Sequence, residues 1–157
     1  MKIFILFMIF FNFILCGSSI SFAEEPLDFS SPEELLQSYL RACNALDFSL
    51  SDQCYTKEFQ EYIRANKEYM AHRNVNQLRN AYGYWSNRPY DIEVYGNKAI
   101  IRFSPEFVRP EPFYMVNEDG KWKIDGVFSI KNVKIQDSRT WFWKNPNIDN
   151  EKQWLKQ

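Results

Sequence analysis

The segment Tyr90-Asp-Ile-Glu-Val-Tyr95, Gly96-Asn97, Lys98-Ala-Ile-Ile-Arg-Phe103 predicts a β-hairpin on which the rest of the fold is built. A two-residue loop with glycine first is typical of a type II′ turn, whose twist matches that of the flanking strands. Because strand side chains alternate, this loop sets a register that puts six apolar residues on one face. The facing pairs are Val94 with Ala99, Ile92 with Ile101 and Tyr90 with Phe103, while Asp91 faces Arg102 on the other side.

A second hairpin is predicted for Phe113-Tyr-Met-Val-Asn117 and Lys121-Trp-Lys-Ile-Asp125, joined by Glu118-Asp119-Gly120. A three-residue loop that ends in glycine is typical of a type I turn closed by a bulge. This loop predicts that Val116 faces Trp122 and that Tyr114 faces Ile124. We expect these four side chains to continue the apolar face of the first hairpin.

An amphipathic helix is predicted before the sheet. Ser31 can cap it, Pro32 suits its first position and Glu34 can close a capping box. Its apolar stripe, formed by Leu36, Leu40 and Cys43, is expected to cover the apolar face of the hairpins.

The segments around this core carry weaker patterns. Residues 47–53 are expected to form a loop, and Thr56 can cap a second helix that is interrupted near Asn74 and Asn76 and stops at Gly83. Prolines 105, 110 and 112 exclude a central strand between the hairpins. Residues 126–130 are expected to extend the last strand, and Val133 and Ile135 can prolong it.

The first 23 residues are typical of a secretory signal peptide. Lys2 precedes an apolar run from Ile3 to Leu15, and Ser21-Phe22-Ala23 is a small-x-small cleavage site before Glu24. The run is short for a membrane span, so an uncleaved anchor is the weaker alternative. Lipidation at Cys16 is weaker still, because Leu15 before it is bulky. We therefore expect an exported protein, periplasmic or secreted, with a linker at 24–30, a folded domain at 31–135 and an aromatic tail at 136–157.

Composition excludes some partners and leaves others open. Nineteen basic residues against twenty acidic ones give a net charge of −1, and no basic stripe suggests nucleic-acid binding. No second long apolar run follows the signal peptide, so no membrane span is expected after cleavage. Cys43 and Cys54 are the only cysteines left in the mature chain, and an oxidising compartment favours a disulfide between them, worth about 2–3 kcal/mol. Two buried free thiols are the alternative.

Helices followed by an antiparallel sheet of long hairpins describe an α+β fold. The run Asn117-Glu-Asp-Gly-Lys-Trp-Lys-Ile-Asp125 resembles the closing hairpin of the nuclear transport factor 2-like superfamily, which has a cone-shaped, cystatin-like fold. The Ser-Pro-Glu-Glu helix start and the Gly-Asn-Lys-Ala run at 96–99 are similar to those of its small exported bacterial members. The resemblance implies a curved sheet that often encloses an apolar pocket. Because some members are isomerases or dehydratases and many are not catalytic, it does not assign a function.

Catalytic chemistry has few candidates. His72 is the only histidine and lies in a polar segment, so a surface position is expected and a relay or metal site is not. Asp91, Glu93 and Asp125 are the candidates for a carboxylate base in an isomerase- or dehydratase-like enzyme. The simpler interpretation is a solvated sheet face with a cross-strand ion pair between Asp91 and Arg102.

Aromatic residues provide the candidates for binding. Tyr39, Tyr90, Tyr114 and Trp122 can line an apolar pocket or can simply fill the core. In Trp141-Phe142-Trp143, at least one side chain should be exposed and mark an interface, unless the tail folds back over the helices. We expect a non-catalytic domain without a cofactor that binds a protein partner or a small apolar ligand, with a homodimer left open.

Overall fold

The computed structural model describes residues 26–104, 110–137 and 140–157. The predicted signal peptide, with Cys16, lies outside the described residues. Elements are numbered here in chain order: α1 (Pro32–Asn44), α2 (Phe48–Gln53), α3 (Lys57–Ala65), α4 (Lys67–His72), α5 (Val75–Trp85), β1 (Tyr90–Tyr95), β2 (Lys98–Phe103), β3 (Phe113–Glu118), β4 (Lys121–Ile124), α6 (Gly126–Asn132), β5 (Val133–Asp137), β6 (Thr140–Trp143) and α7 (Asn150–Lys156). Helices precede a four-stranded antiparallel sheet in the order β1-β2-β3-β4, which confirms the α+β class.

The predicted helix starts at Ser31 and Thr56 are confirmed. The Ser31 hydroxyl accepts a hydrogen bond from the Glu34 amide at 3.1 Å and begins α1. Thr56 begins α3 in the same way, accepting from the Phe59 amide at 3.3 Å. Each cap satisfies an amide that the first helical turn leaves without an intrahelical partner.

Other helix bounds differ from the prediction. Residues 48–53 form α2 rather than a loop, because Asp47 caps the amides of Ser49 and Leu50. The long second helix is split at Asn66 as well as at Asn74, each of which caps the helix that follows. The last of these helices, α5, continues through Gly83 to Trp85, so Gly83 is not a helix stop.

The first hairpin has the predicted register. Ile92 pairs with Ile101, and Val94 pairs with Ala99. Gly96 has a φ of +63° and Asn97 does not have a positive φ, as a type II′ turn requires.

The second hairpin does not have the predicted register. Its loop has two residues, Asp119 and Gly120, with φ values of +53° and +80°, which are typical of a type I′ turn. Met115 therefore faces Ile124, and Asn117 faces Trp122. A shift of one residue moves every side chain of a strand to the other face, so Tyr114 and Val116 lie on the side opposite to Ile101 and Ile124.

The chain leaves the sheet after β4 instead of extending it. Asp125 accepts a hydrogen bond from the Phe128 amide at 2.9 Å and begins α6. Gly126 is required here, because a Cβ atom would lie 2.4 Å from the Phe59 ring. Val133 and Ile135 then belong to a separate two-stranded sheet of β5 and β6.

Both faces of the four-stranded sheet are covered. On the first face, α1 and α5 pack against β2, β3 and β4; the buried residues of this core are Leu35, Leu36, Tyr39, Leu40, Cys43, Cys54, Leu78, Ala99, Ile101, Phe103, Met115, Trp122 and Ile124. On the second face, α6 and α7 contribute Phe128 and Trp154, which pack against Ile100 and Tyr114. Across the described residues, no helix combines the length and apolar character needed to cross a bilayer.

Candidate functional site

Arg102 is the centre of a charged network on the second face of the sheet. Its Nη1 and Nη2 donate to Oε1 and Oε2 of Glu151 at 3.0 and 2.7 Å, and its Nε donates to Glu93 at 2.9 Å. The Tyr114 hydroxyl also donates to Glu151, at 2.8 Å. Two-pronged guanidinium–carboxylate contacts are among the stronger side-chain hydrogen bonds, so this network attaches α7 to the sheet.

The network shifts the pKa values of its members. Hydrogen bonds to Glu151 raise the pKa of Arg102 further above its ordinary value. Burial, followed by the hydrogen bond to Glu151, raises the pKa of Tyr114. Hydrogen bonds from Tyr95 and Arg102 lower the pKa of Glu93. At neutral pH, Arg102 is therefore a guanidinium, Glu93 a carboxylate and Tyr114 a neutral phenol.

Trp154 and Lys98 complete the contact between α7 and the sheet. The Trp154 side chain is 1% exposed, and its indole N–H donates to Asp125 at 2.8 Å. The Lys98 ammonium donates to the Trp154 carbonyl, and it lies 4.7 Å from the centre of that indole ring. Because this carbonyl belongs to the last turn of α7, the positive charge also complements the helix dipole.

A cleft of about 250 Å³ lies beside this network, next to β1 and β2. It is lined by Asp91, Arg102, Phe103, Ser104, Pro110, Pro112 and Trp141. The Trp141 indole N–H donates to the Pro110 carbonyl at 2.9 Å, which fixes the aromatic wall. Asp91 is exposed at its rim. Among the described side chains at or next to the cleft, Asp91, Glu93 and Glu151 are acidic and Arg102 is basic, so acidic groups outnumber basic ones within this set.

The three candidate carboxylates have different roles. Glu93, not Asp91, forms the ion pair with Arg102, so the predicted Asp91–Arg102 pair is wrong. The reason is that a long side chain can reach diagonally to its neighbour on the same sheet face. Asp125 caps α6 and accepts from Trp154, so both of its oxygens serve structural contacts. Asp91 is the one of the three that borders the cleft.

Three of the four aromatic residues of the predicted pocket lie in or against one core, and the fourth lies in the other core. Tyr39 and Trp122 are each 8% exposed and belong to the core of the first face, against which Tyr90 packs. The Tyr39 ring meets Phe113 edge-on at 5.6 Å. Tyr114 lies in the core of the second face, because of the register of β3.

The aromatic run at 141–143 alternates because it forms strand β6. Trp141 is 5% exposed, Phe142 is 49% exposed and Trp143 packs against the core of the second face. One exposed aromatic side chain therefore remains on the surface, as the sequence requires. The chain beyond it is not a loose tail, because α7 buries Trp154.

The remaining candidates from the sequence are the two cysteines and His72. Cys43 and Cys54 are buried free thiols, so the predicted disulfide is not formed here. Burial raises their pKa values to about 11 and about 12. His72 is exposed, as expected. Within residues 26–104, 110–137 and 140–157, no group of three or more His, Cys, Asp or Glu residues could hold a metal ion.

Sequence reasoning missed Glu151, Trp154 and Lys98. Asp149 can cap a helix at this point, and its carboxylate does accept from the Lys152 amide at 2.9 Å. That cap was the available signal for α7. A helix of seven residues is too short to show a clear apolar period, however.

No protein-family model, curated protein or solved structure matches this chain. The resemblance to the nuclear transport factor 2-like superfamily therefore stays a prediction from the residues that carry it.

Proposed function

We propose that this chain is an exported, non-catalytic domain that binds a protein partner at the cleft beside β1 and β2. The observation that carries the proposal is the cleft itself, with Trp141 and two prolines as walls and Asp91 at its rim. Its volume of about 250 Å³ is below the range of about 300–1,000 Å³ that is usual for sites enclosing a whole small molecule. One or two side chains of a partner fit this volume better.

The close packing of side chains on the first face supports a protein partner over an apolar ligand bound between α1 and the sheet. Leu36, Ala99, Ile101 and Met115 are each 0% exposed and pack together in one core. Helix α1 and the sheet are thus joined by close-packed side chains, where a ligand pocket would need open space.

The carboxylates support binding over catalysis. A general base needs a free lone pair next to the reacting proton and a pKa suited to its task. Glu93 and Asp125 are engaged by hydrogen bonds from Arg102 and Trp154. Asp91 is exposed to solvent at the rim of the cleft.

The partner is tested by site-directed photo-cross-linking in the cells that export the protein. A photoreactive phenylalanine analogue replaces Ser104 in the cleft, and Glu61, exposed on α3, serves as the control position. We expect one discrete protein adduct from position 104, reduced by Asp91→Lys, and none from position 61. Equal adducts from both positions, or none from position 104, would refute the proposal.

Export rests on the signal-peptide pattern of residues 1–23 and has its own test. We expect N-terminal sequencing of the protein recovered from outside the cytoplasm to begin at Glu24. A chain that stays inside the cell with residues 1–23 attached would remove this part of the proposal, without affecting the cleft.

A further inference from the structure

The two edges of the four-stranded sheet are treated differently by the chain. Along β4, backbone hydrogen bonds join Trp122 N–H to Phe29 C=O at 2.9 Å and Ile124 N–H to Cys54 C=O at 2.8 Å. The Ile124 carbonyl also accepts from the Thr56 amide at 3.0 Å. Along β1, by contrast, the described residues provide no backbone partner beyond β2.

The pattern of backbone hydrogen bonds between β1 and β2 identifies which N–H and C=O groups of β1 point away from β2. Ser104 N–H donates to Pro89 C=O at 2.8 Å, so the backbone carbonyl of Pro89 points toward β2. In an antiparallel pair the inward and outward residues alternate. The backbone groups of Asp91, Glu93 and Tyr95 therefore bond to β2, and those of Tyr90, Ile92 and Val94 point outward.

Among the described residues, this edge carries charged side chains but has no lysine, proline, bulge or covering segment against another strand. Proteins block free edges with lysine, proline, a bulge or a covering segment. Strand β1 pairs with β2 without a shift over all six residues and contains neither lysine nor proline. Its exposed end is apolar, since Val94 and Tyr95 are 56% and 45% exposed. Such an edge is suited to receive an extended segment by β-strand addition.

Charge decides what kind of segment fits. On the second face, β1 presents Asp91 and Glu93, and the cleft lies beside Asp91. A second copy paired antiparallel about Ile92 would place Asp91 opposite the partner's Glu93, and like charges in that position are destabilising. A strand with lysine or arginine on this face would be attracted, and its alternate residues would cover Val94 on the other face.

We propose that the outer edge of β1 pairs with an extended segment of a partner protein that alternates basic and apolar residues. The inference rests on the proposed function, and it names how the partner is held. Three outward-pointing residues give room for a strand of about five or six residues. A long basic side chain beside Asp91 can then reach into the cleft that Trp141 borders.

The test uses the exported chain and two synthetic, end-blocked octapeptides, one alternating Lys and Val and one alternating Glu and Val. Amide hydrogen exchange is followed by NMR during titration. We expect the basic peptide to slow exchange at Tyr90, Ile92 and Val94 and to leave Asp91 and Glu93 unchanged, since their amides already bond to β2. The acidic peptide should bind at least about tenfold more weakly.

A matched pair of variants separates the backbone from the side chain. Val94→Pro removes one outward N–H without breaking the ladder to β2, and Val94→Ala keeps that N–H. We expect Val94→Pro to weaken peptide binding about tenfold and Val94→Ala to weaken it by less than about threefold. Asp91→Lys, at an exposed position, should reverse the preference toward the acidic peptide, and it tests the proposal even if Val94→Pro does not fold.

Several outcomes would overturn strand addition. These are peptide binding without protection of the outward amides, equal binding of both peptides, or protection of those amides by self-association of the chain alone. If position 104 still gives its protein adduct, the binding function stands and only the strand pairing fails. If the peptides bind as expected but position 104 gives no adduct, the edge is a peptide site and the cleft assignment fails.

Discussion

The two faces of the sheet are closed by different means. The first face is covered by α1 and α5 through aliphatic and aromatic contacts, with Leu35, Leu36 and Ile101 each 0% exposed. The second face is covered by α6 and α7, and its aromatic contacts are held by an ion-pair network at Arg102 and by Asp125. A purely apolar face accepts any well-shaped helix, whereas a face with charged groups requires a partner for each of them. We therefore expect the stability of the second face to be the more sensitive to loss of single polar atoms.

The largest effect is expected from Trp154→Ala. The indole is 1% exposed and contacts Tyr114 and Phe128, so its removal should lower the free energy of unfolding by about 3–5 kcal/mol. Leu36→Ala on the first face should cost about 2–5 kcal/mol, which makes the two faces comparable. Urea unfolding followed by circular dichroism measures both. Phe142→Ala, at a side chain that is 49% exposed, is the control and should stay within about 0.5 kcal/mol. A loss below about 1 kcal/mol for Trp154→Ala would mean that α7 does not hold the second face.

Glu151→Gln is expected to have the next largest effect. The amide turns an N–H₂ group toward the Arg102 guanidinium and leaves a partly buried donor without an acceptor. Because the pair is partly exposed, we expect a loss of about 2 kcal/mol, below the value for a fully buried pair. Glu58→Gln, which breaks the exposed pair with Lys131, should change stability by less than about 0.5 kcal/mol. Similar losses for the two variants in urea unfolding would show that the network is only a surface contact.

Signals from adjacent residues predicted the helix starts and the turn that build the first face. The register of the second hairpin was harder to predict, because its loop suits two turn types. The caps at Ser31 and Thr56 and the Gly96-Asn97 turn each depend on a few adjacent residues, and each was predicted correctly. Glu118-Asp119-Gly120 suits both a two-residue and a three-residue loop, because aspartate tolerates positive φ. The structure has the two-residue loop, and in its register Tyr114 lies on the second face.

The candidate site depended on contacts that are distant in sequence. Arg102 and Glu151 meet across 49 positions, and no local pattern links them. The seven residues of α7 are too few to display a period. The aromatic residues were identified as important, but their division between two faces followed from the one-residue difference in the second hairpin.

A smaller effect is expected from Gly120→Ala in the turn that divides those aromatics. Gly120 has a φ of +80°, and an L-residue in the left-handed region costs about 1–2 kcal/mol. Gly83→Ala is the matched control, because Gly83 lies inside α5 with open space around its Cα. It should increase stability by about 0.5–1 kcal/mol. Chemical unfolding of the pair should give opposite signs, and a neutral Gly120→Ala would contradict the type I′ turn.

The smallest expected effect is on the pH dependence of the free energy of unfolding, to which two glutamates with opposite pKa shifts contribute. Burial raises the pKa of Glu111 above its ordinary 4.5, although Ser129 donates a hydrogen bond to it. Folding thus favours the protonated form of Glu111. The contribution of this side chain to the free energy of unfolding is lost as the pH rises from 4.5 through the higher folded-state pKa. Glu93 behaves in the opposite way, because Tyr95 and Arg102 lower its pKa below 4.5. Its contribution is present above 4.5 and is lost as the pH falls through the lower folded-state pKa.

Glutamine variants separate these two contributions. We expect Glu111→Gln to remove the decline in stability just above pH 4.5, and Glu93→Gln to flatten the acid limb below it. Urea unfolding at closely spaced pH values from about 3 to about 8 measures both slopes. Because both side chains adjoin the second face, Leu36→Ala on the first face should shift the whole curve without changing either slope. A change of slope in that variant would mean that the two faces do not respond independently to charge.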